Sequence, residues 1–361
     1  ADAPKDRKED LYTATPAQLI WRRFSKHALA VISMWFLAIL ALCAVFADMV
    51  APYAPFEVQR LRTLAPPTAI HLFDDGQFVG PFVYGWSRER DLETARVKYA
   101  VDTDKVLPIQ LFYQGDDYNF FGLFKSNVHL FGVDDRREQI NLLGTDDLGR
   151  DVFSRLMHGG RVTLSAGLIG VIFAFVLGLT LGSISGYFGG WIDTSIQRLM
   201  ELIRWMGLAA ALPIAWDPII VYVLITLILA LIGWTHLARV VRGQFLAIRN
   251  EDFVMAARLA GATETRIITR HMLPSMTSYI IAALTLAVPE MILGETALSF
   301  LGLGLRPPVV SWGVLLQDAQ NLRSISLAPW LLSPGGAVVL TVLAFNFLGD
   351  GLRDAADPYG Q

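Results

Sequence analysis

Long apolar runs separated by short polar stretches dominate the pattern of this 361-residue chain. A helix needs about 20 mostly apolar residues to cross a bilayer, and several runs reach that length. Clusters of Pro, Gly and charged residues mark the boundaries between the runs, as they do at the ends of helices. The pattern predicts six transmembrane helices, at about residues 29–50, 163–185, 196–214, 219–240, 278–300 and 330–348.

The third of these runs is the least apolar. Its first half carries three charged residues, Arg198, Glu201 and Arg204. Charged side chains near a helix end commonly reach the membrane interface or pair with one another. We therefore keep this run as a span and expect the three side chains to lie near the interface.

One long polar stretch, residues 51–161, separates the first two spans. Within it, residues 77–84 and 108–113 combine aromatic and β-branched residues with flanking Gly, Asp and Pro, a pattern typical of short strands. Residues 89–97 favour one or two helical turns. The sequence therefore predicts an all-α polytopic membrane protein with a small mixed α/β insertion between helices 1 and 2.

Positive charges in the short loops predict the orientation of the chain. Basic residues concentrate in short cytoplasmic loops, whereas loops longer than about 60 residues cross the membrane regardless of charge. With six spans, both termini then lie in the cytoplasm and the 51–161 insertion lies outside. We expect residues 1–27 to form a cytoplasmic leader, 28–50 an uncleaved signal anchor, and 162–361 the main transmembrane domain with an inner loop at 241–274. The orienting residues are Lys5, Arg7, Lys8, Arg22, Arg23, Lys26, Arg239, Arg242, Arg249, Arg258, Arg266 and Arg270.

Composition narrows the classes of function. Charged residues make up only 17% of the chain, against about a quarter in soluble proteins, and the net charge of -3 gives no sign of nucleic-acid binding. The single cysteine, Cys43, excludes an intrachain disulfide and a thiolate metal cluster. No lysine follows Lys125, and the P-loop, H-E-x-x-H and G-x-S-x-G motifs are absent from the sequence. We expect no catalytic residue, no metal site and no bound cofactor on this chain.

The inner loop holds the most informative segment, residues 252–274. Asp252 and Thr263 are suited to cap two short helices, and Gly261 is suited to end the first one in the left-handed conformation. Pro274 fits the first turn of the fifth span. Helical spacing gives the first helix one continuous face, made of Met255, Ala256, Leu259 and Ala260.

Two interpretations fit that face. Small Ala side chains let the surface of another protein come close, and Met adapts to irregular pockets, which favours docking of a protein. An amphipathic helix lying on lipid headgroups shows the same periodicity. The spacing of the residues alone does not decide between the two.

The same segment resembles the coupling loop of binding-protein-dependent ABC permeases, whose pattern is Glu-Ala-Ala, then Gly, then Ile and Leu-Pro. The matching residues here are Ala256, Ala257, Gly261, Ile267, Leu273 and Pro274. Met255 stands where the family usually has glutamate, so no ion pair is expected from this position. The resemblance implies that a separate ATPase docks on Met255, Ala256, Ala257, Leu259, Gly261, Ile267 and Pro274.

Further segments resemble the C-type subunit of dipeptide and oligopeptide permeases. Together they extend over nearly all of the chain outside residues 52–141, and they occur in the order found in the family. The resemblance implies a type I ABC importer permease, a non-enzymatic subunit that carries peptides. The long insertion departs from the compact form of the family. The matching segments are residues 143–156, 159–164, 186–193, 295–304, 311–313, 345–354 and 357–358.

The resemblance also implies a set of partners in a bacterial inner membrane. These are a homologous permease subunit that completes a heterodimeric pore, two ATPase subunits or domains, and an extracytoplasmic solute-binding protein. ATP and Mg would be bound by the ATPase subunits and not by this chain.

Two further groups of polar residues are candidates for function. Glu290 and Glu295 are the acidic residues of the fifth span nearest the membrane interior, and they either line the translocation path or reach water at the outer end. A hydrogen-bonded, charge-paired corner is expected at the outer membrane face, with a structural role or in contact with substrate. Its members are Gly144, Asp146, Gly149, Arg150 and Asp151.

Two alternatives remain open from the sequence. The first is the same class of importer with another cargo, such as nickel, an opine, a glycoside or a peptide-like antibiotic. The second is an ion-coupled secondary carrier that works alone. That carrier predicts inverted repeats, interrupted helices and acidic residues in the middle of the membrane, and the sequence shows none of these clearly.

Overall fold

The structure is a computed structural model that describes residues 16–74, 77–90, 97–134, 138–205 and 217–356. Helices dominate these residues, and five strands lie between the third and fourth helices. The chain divides into two compact units. The first comprises Ala1–Ile39, Ser165–Glu295 and Val339–Gln361, and the second comprises Leu40–Leu164 and Thr296–Val338.

The elements follow one another in a simple order along the chain. The first three helices are α1 (Pro16–Phe24), α2 (Ala28–Val45) and α3 (Ala47–Val50). The strands are β1 (His71–Asp74), β2 (Gln77–Arg90), β3 (Val97–Pro108), β4 (Gln110–Phe120) and β5 (Phe124–Gly132). Then come α4 (Val152–Phe188), α5 (Gly190–Trp205), α6 (Pro218–Ile248), α7 (Asp252–Leu259), α8 (Glu264–Ile267), a π-helical turn (Ile268–Met272), α9 (Leu273–Ser275), α10 (Thr277–Phe300), α11 (Trp312–Asp318), α12 (Leu322–Leu327), a 3-10 turn (Pro329–Leu332) and α13 (Ser333–Ala356).

Within the described residues, five helical segments are long and apolar enough to cross a membrane, and they coincide with five of the six predicted spans. Helices α4, α6 and α13 extend beyond the predicted bounds because a helix continues past the apolar stretch that the bilayer selects; α4, for example, has 37 residues. Helix α2 instead ends at Val45, five residues before the predicted end of the first span. The remaining predicted span, 196–214, begins inside α5, and its residues 206–214 lie outside the described residues. The five segments are Ala28–Val45, Val152–Phe188, Pro218–Ile248, Thr277–Phe300 and Pro329–Ala356.

Helices α4 and α6 run parallel to each other in the first unit. Near one end the hydroxyl groups of Ser165 and Tyr222 lie 2.9 Å apart in a hydrogen bond. Near the other end Gly186 lies against Phe245. Since both contacts advance in the same direction along the two helices, α4 and α6 end on the same side of the unit.

A row of glycines brings these two helices into close contact. Gly178, Gly182 and Gly186 are four residues apart on α4 and face α6. A Cβ on Gly182 would lie 2.7 Å from the Ala238 carbonyl oxygen, which is closer than any real Cβ contact. Small residues at this spacing let helix backbones approach each other in lipid, where burial of apolar surface gives no driving force.

In the same unit, the end of α13 contacts the start of α10 and packs against α1 and α2. The Ser278 hydroxyl at the start of α10 donates to the Ala356 carbonyl at the end of α13, and Thr285 lies against Gly349 further along, so these two helices run antiparallel. Phe24 of α1, Ala30 of α2 and Ala355 of α13 form one buried cluster. The start of α2 therefore lies beside the end of α13.

The insertion predicted at 51–161 is built from strands in the second unit. Strands β1, β2 and β3 form an antiparallel sheet, and β4 pairs with β5. The prediction of helical turns at 89–97 is wrong at its ends, since Glu89 and Arg90 end β2 and Val97 begins β3, while residues 91–96 lie outside the described residues. Cross-strand pairing of the flanking residues outweighs the weak local helical preference. The described part is therefore β-rich rather than mixed α/β.

Candidate docking and translocation sites

The predicted docking segment begins with helix α7. Its N-cap is Glu251, which has an extended backbone, so the prediction that Asp252 caps this helix is wrong by one residue. Asp252 is instead the first helical residue, where a negative charge interacts favourably with the helix dipole. The segment thus starts as a helix where the sequence predicted one.

The end of α7 is a hydrogen-bonded reversal centred on Gly261. Gly261 has φ +76, the left-handed conformation predicted from the sequence. Its N–H donates to the Arg258 carbonyl at 3.0 Å, and the Ala262 N–H donates to the Ala257 carbonyl at 3.1 Å. These two bonds form a Schellman motif, in which glycine avoids the strain that a Cβ would meet at positive φ.

One face of the segment is buried and holds it in place. Val254 of α7 and Ile267 of α8 are almost completely buried, and Ala257 and Ala262 pack against the same cluster. The cluster joins the segment to the ends of α4 and α6 and to the start of α10. Its buried members are Tyr187, Val241, Phe245, Val254, Ile267, Met272 and Met276.

The opposite face of α7 is open. Leu259 is 88% exposed, and Met255 and Phe253 are 43% and 41% exposed. Ala256 and Gly261 are exposed as well, and no atom lies within 4 Å of the position that a Cβ on Gly261 would occupy. Of the predicted docking residues, Ile267 therefore belongs to the buried anchor and Ala257 is half-buried, whereas Met255, Ala256, Leu259 and Gly261 form an accessible apolar face, called the α7 face below.

A helical connection leads from this face to α10. Thr263 occupies the N-cap of α8, although its side chain makes no capping bond. The π-helical turn Ile268–Met272 and α9 follow without a loop. Pro274 lies in α9, three residues before α10 begins at Thr277, and not in the first turn of α10 as predicted. Helical backbone therefore runs from Glu264 to Ser275, with the Gly261 reversal before it and only Met276 between it and α10.

An ion pair beside the segment ties three helices together. The Arg242 guanidinium of α6 donates from Nε and Nη2 to the two carboxylate oxygens of Asp193 in α5, both at 2.5 Å. The Ser185 hydroxyl of α4 donates to the same carboxylate. The hydrogen bonds from Arg242 hold the pKa of Asp193 at about 2, so this carboxylate is ionised under any physiological condition.

In the second unit, the structure brings the Asp146 and Arg150 side chains of the predicted corner together. Arg150 Nε donates to Asp146 Oδ2 at 2.7 Å. A residue that the sequence reasoning missed, Arg155, also donates to Asp146 and reaches Asp318 Oδ2 at 3.1 Å. Gly144 and Gly149 both have positive φ and shape the turns around this carboxylate. Among the described residues, these groups form a closed ion-pair network.

Asp151 serves a different purpose in that corner. Its carboxylate accepts hydrogen bonds from Asn141 Nδ2 at 2.9 Å and from the Ser154 backbone N–H at 2.7 Å, so it caps the start of α4. Burial raises the pKa of Asp151 to about 6, against these hydrogen bonds. The carboxyl therefore titrates in the mildly acidic range.

A second group that the sequence reasoning missed joins α2 to α4. Arg161 donates to the carbonyl oxygens of Ala44 and Val45, at the end of α2, and to Asp48 Oδ2 at 2.7 Å. His158 Nε2 faces the other Asp48 oxygen at 3.1 Å. Burial opposes ionisation of Asp48, but the hydrogen bonds from His158 and Arg161 outweigh it and lower its pKa to about 2. His158 therefore lies in a hydrogen-bonded, structural position.

The two candidate path residues have different surroundings. Glu295 is completely buried, with an exposed fraction of 0%. Glu290 is exposed and lines a cavity of 150 Å³ between α4, α6 and α10, together with His236 and Tyr279. The two glutamates therefore do not share one surface of α10.

Comparison with known proteins gives the family. Residues 178–359 match the family described as the inner membrane component of binding-protein-dependent transport systems. Residues 15–67 match the N-terminal transmembrane domain of oligopeptide transport permease C. The chain belongs to this permease family.

Curated relatives support the assignment over most of their own length. The dipeptide transport system permease protein DppC of Bacillus subtilis is 42% identical over 224 residues, which cover 60% of this chain and 68% of that protein. The oligopeptide transport system permease protein OppC of the same organism is 36% identical, covering 64% of this chain and 76% of OppC. OppC of Haemophilus influenzae is 39% identical, and the match covers 61% of this chain and 71% of that protein. A solved structure of the MetNI methionine ABC transporter covers 56% of this chain and 96% of its own, at 18% identity and a TM-score of 0.44, so the assignment rests on the sequence matches.

Membership of this family confirms the resemblance to binding-protein-dependent ABC permeases that was drawn from residues 252–274. A permease of this family is a non-catalytic membrane component, and hydrolysis of ATP belongs to separate subunits.

The Asp193–Arg242 pair was missed in the sequence analysis because its two residues are 49 positions apart. A signal was nevertheless present, since Asp193 is an isolated acidic residue just after the apolar run of α4, where an unpaired charge is unfavourable.

Proposed function

We propose that this permease forms one half of the pore of an ATP-driven peptide importer, and that a separate ATPase docks on the α7 face. The observation that carries the proposal is the combination of an exposed apolar face with a buried anchor in one short segment. A face bound to lipid headgroups needs no rigid link to a transmembrane helix. Here the anchor residues Val254 and Ile267 pack against α4 and α6, and the segment continues by helical turns into α10.

The link between docking and transport follows from this geometry. A push on the α7 face acts on the buried cluster, which contains Met272 of the π-helical turn and Met276, the residue just before α10. Packed cores and helices transmit displacement because they resist compression. We propose that closure of the ATPase moves α10 in this way and so alternates access to the path. The ATPase subunits supply the ATP and Mg, and this chain binds neither.

We further propose six spans with both termini in the cytoplasm. Because α4 and α6 are parallel, the 29 residues between Phe188 and Pro218 must return from the end of α4 to the start of α6. A helix rises 1.5 Å per residue, so these residues are long enough to cross a hydrocarbon core of about 30 Å. The crossing supports the third predicted span, and an even count of spans places the two ends of the chain on one side.

The β-rich insertion then lies outside, where we propose that it meets the solute-binding protein. A polar cavity of 240 Å³ opens between the residues that follow α3 and strands β4 and β5. Its lining includes Glu57, Asp116 and Glu138. Burial and the nearby Asp116 charge raise the pKa of Glu57. Glu138 pairs with Arg62 and Lys105 within the chain, so Glu57 and Asp116 carry the acidic character of the cavity, which suits a partner with basic side chains.

The remaining partner is a homologous permease subunit that completes the pore, with Glu290 at the path between the two subunits. The proposed cargo is peptides, because the similar permeases are named for dipeptide and oligopeptide transport. The same importer with an opine, glycoside, nickel or peptide-like antibiotic remains the alternative cargo. The bulk of the insertion suits a larger cargo than a metal ion.

Reconstitution of the complete importer in proteoliposomes tests the proposal. We expect peptide uptake only with ATP and the binding protein present, and none after the ATPase subunits are removed. Uptake that continues without the ATPase and follows an imposed proton or sodium gradient would identify an ion-coupled carrier and contradict the proposal.

A further inference from the structure

The cavity beside Glu290 lies deep in the part of the chain that spans the membrane. Glu290 is 13 residues from the start of α10 and 10 from its end, which corresponds to roughly 20 Å and 15 Å of helix. His236 lies 18 and 12 residues from the two ends of α6, roughly 27 Å and 18 Å. Glu290 therefore lies near the middle of its span, whereas His236 lies four residues before the end of the predicted span 219–240.

Both side chains are also exposed on the surface of the chain. In the part of the chain that the structure describes, neither Glu290 nor His236 takes part in an ion pair or a side-chain hydrogen bond. An ionisable group in the middle of a membrane is costly in contact with lipid, and such groups face a partner or a water-filled path. The groove must therefore be filled by something polar when the permease is assembled.

Local features of the backbone distinguish two of the helices that line the cavity beside Glu290. Pro289 lies inside α10 and lacks the N–H that would otherwise bond to the Thr285 carbonyl. On the opposite wall, Gly233 of α6 leaves room for Met291, since a Cβ there would lie 2.6 Å from the Met291 methyl carbon. The missing side chain at Gly233 thus lets Met291 pack against α6, and both residues form part of the cavity wall.

The size and chemistry of the opening restrict its occupant. A cavity of 150 Å³ is smaller than the roughly 300 Å³ of pockets that hold whole drug-sized ligands. Most of its lining is apolar, and the carboxylate of Glu290 is the only acidic group in it. A carboxylate in an apolar pocket pairs best with a cation that donates hydrogen bonds. Peptides carry such a group at one end, the terminal ammonium.

We propose that this cavity is a transient subsite for the amino-terminal ammonium group of the cargo, with Glu290 as its counter-ion. The His236 ring serves as the second polar contact and donates to the first carbonyl oxygen of the peptide. This inference rests on the proposed import of peptides. One ion pair in an otherwise apolar groove binds weakly enough for the cargo to leave again, as conduction through a membrane requires.

The test compares a peptide that has a free amino terminus with its N-acetylated form in the complete importer in proteoliposomes. Each uptake rate is divided by the amount of that peptide held by the binding protein, which removes the binding protein's own preference. We expect the wild type to favour the free amine and Glu290→Gln to reduce that preference roughly tenfold, the effect of one lost charged hydrogen bond. Glu290→Asp retains a carboxylate and should keep most of the preference.

Glu201→Gln is the matched control, because it removes a carboxylate that is exposed and paired with Arg198 on α5. It should leave the preference unchanged. An equal loss of uptake for both peptides in Glu290→Gln would overturn the subsite and assign Glu290 to packing against another helix or subunit. If the wild type takes up neither peptide, the proposed peptide import itself fails, and the subsite fails with it.

Discussion

Arg242 and Asp193 form a two-pronged ion pair in which both carboxylate oxygens accept a guanidinium N–H at 2.5 Å. The pair joins α6 to α5, and the Ser185 hydroxyl adds α4 to the same carboxylate. Both side chains are partly buried, with 30% of Arg242 and 16% of Asp193 exposed, so each compensates the charge of the other. The buried cluster that anchors the α7 face contains Val241 and Phe245, which flank Arg242 in α6.

Asp193→Asn is therefore expected to destabilise the permease. The substitution leaves the Arg242 charge without its counter-ion, which costs about 1–3 kcal/mol for a partly buried partner. The measurement is the thermal unfolding midpoint of the purified importer in detergent. Glu201→Gln breaks the exposed Arg198–Glu201 pair and should change the midpoint little, since such surface pairs contribute about 0–1 kcal/mol. Equal shifts in the two variants would show that the Asp193 pair has no special structural weight.

The glycine row between α4 and α6 gives a second prediction. Gly182→Ala places a Cβ 2.7 Å from the Ala238 carbonyl oxygen, so the helices must move apart, and we expect a loss of about 1–3 kcal/mol. Gly243→Ala on α6 is the matched control, because no atom lies within 4 Å of its Cβ position. Alanine in a helix is about 1 kcal/mol better than glycine, so the control should be neutral or stabilising. Thermal unfolding distinguishes the two, and a stabilising Gly182→Ala would contradict the close contact.

Asp151 predicts a dependence of stability on pH. Its pKa is about 6 in the folded chain and near the ordinary 3.8 when unfolded. Between these values the folded state binds more protons than the unfolded state, so stability is highest below pH 4 and falls as the pH rises to about 6, by about 3 kcal/mol. Asp151→Asn should lose this contribution to the pH dependence while keeping a residue that caps helices well. If the free energy of unfolding changes with pH in the same way in the wild type and in Asp151→Asn between pH 4 and 7, the raised pKa of Asp151 is contradicted.

Gly261 provides a test of coupling that is separate from stability. Gly261→Ala puts a Cβ at φ +76, which costs about 1 kcal/mol, but it leaves the α7 face accessible. Gly261→Glu adds length and charge to that face, so we expect the protein to reach the membrane but to lose transport and stimulation of the ATPase. Gly190→Glu is the matched control, because it makes the same change outside the segment, at a glycine that also has positive φ (+57) and open surroundings. It should leave transport and stimulation of the ATPase in place. Normal transport by Gly261→Glu would show that the docking surface lies elsewhere.

Prediction from the sequence is most accurate where a single local preference determines the conformation of a residue or the position of a helix. Gly261 adopts the conformation that a helix end requires. The apolar runs locate five spans, and most of the predicted span ends lie within a few residues of the observed helix ends. Asp252 was assigned the cap position because Asp is a favoured N-cap residue, but Glu251 precedes it and occupies that position without a side-chain capping bond. The packing of the segment, not the local propensity, therefore determines where α7 begins.

Contacts between distant segments are the part that local patterns do not contain. Asp48 and Arg161 are 113 residues apart, and only the folded chain brings them together. The separation of Glu290 from Glu295 has the same cause, since helical spacing gives the angle between them but not which side of α10 the other helices cover. Pairing across strands likewise overrides the helical preference near Glu89.

The central claim is that the α7 face lies in the cytoplasm and docks an ATPase, and site-specific cross-linking tests it most directly. In a background in which Cys43 is replaced, Leu259→Cys and Leu123→Cys each place a thiol at a comparably exposed position, 88% and 81% exposed. The account predicts that the first variant cross-links to the ATPase subunit and resists an impermeant maleimide added outside intact cells. The second should react with the maleimide and not cross-link. Labelling of Leu259→Cys from outside, or a cross-link from Leu123→Cys to the ATPase, would contradict the account.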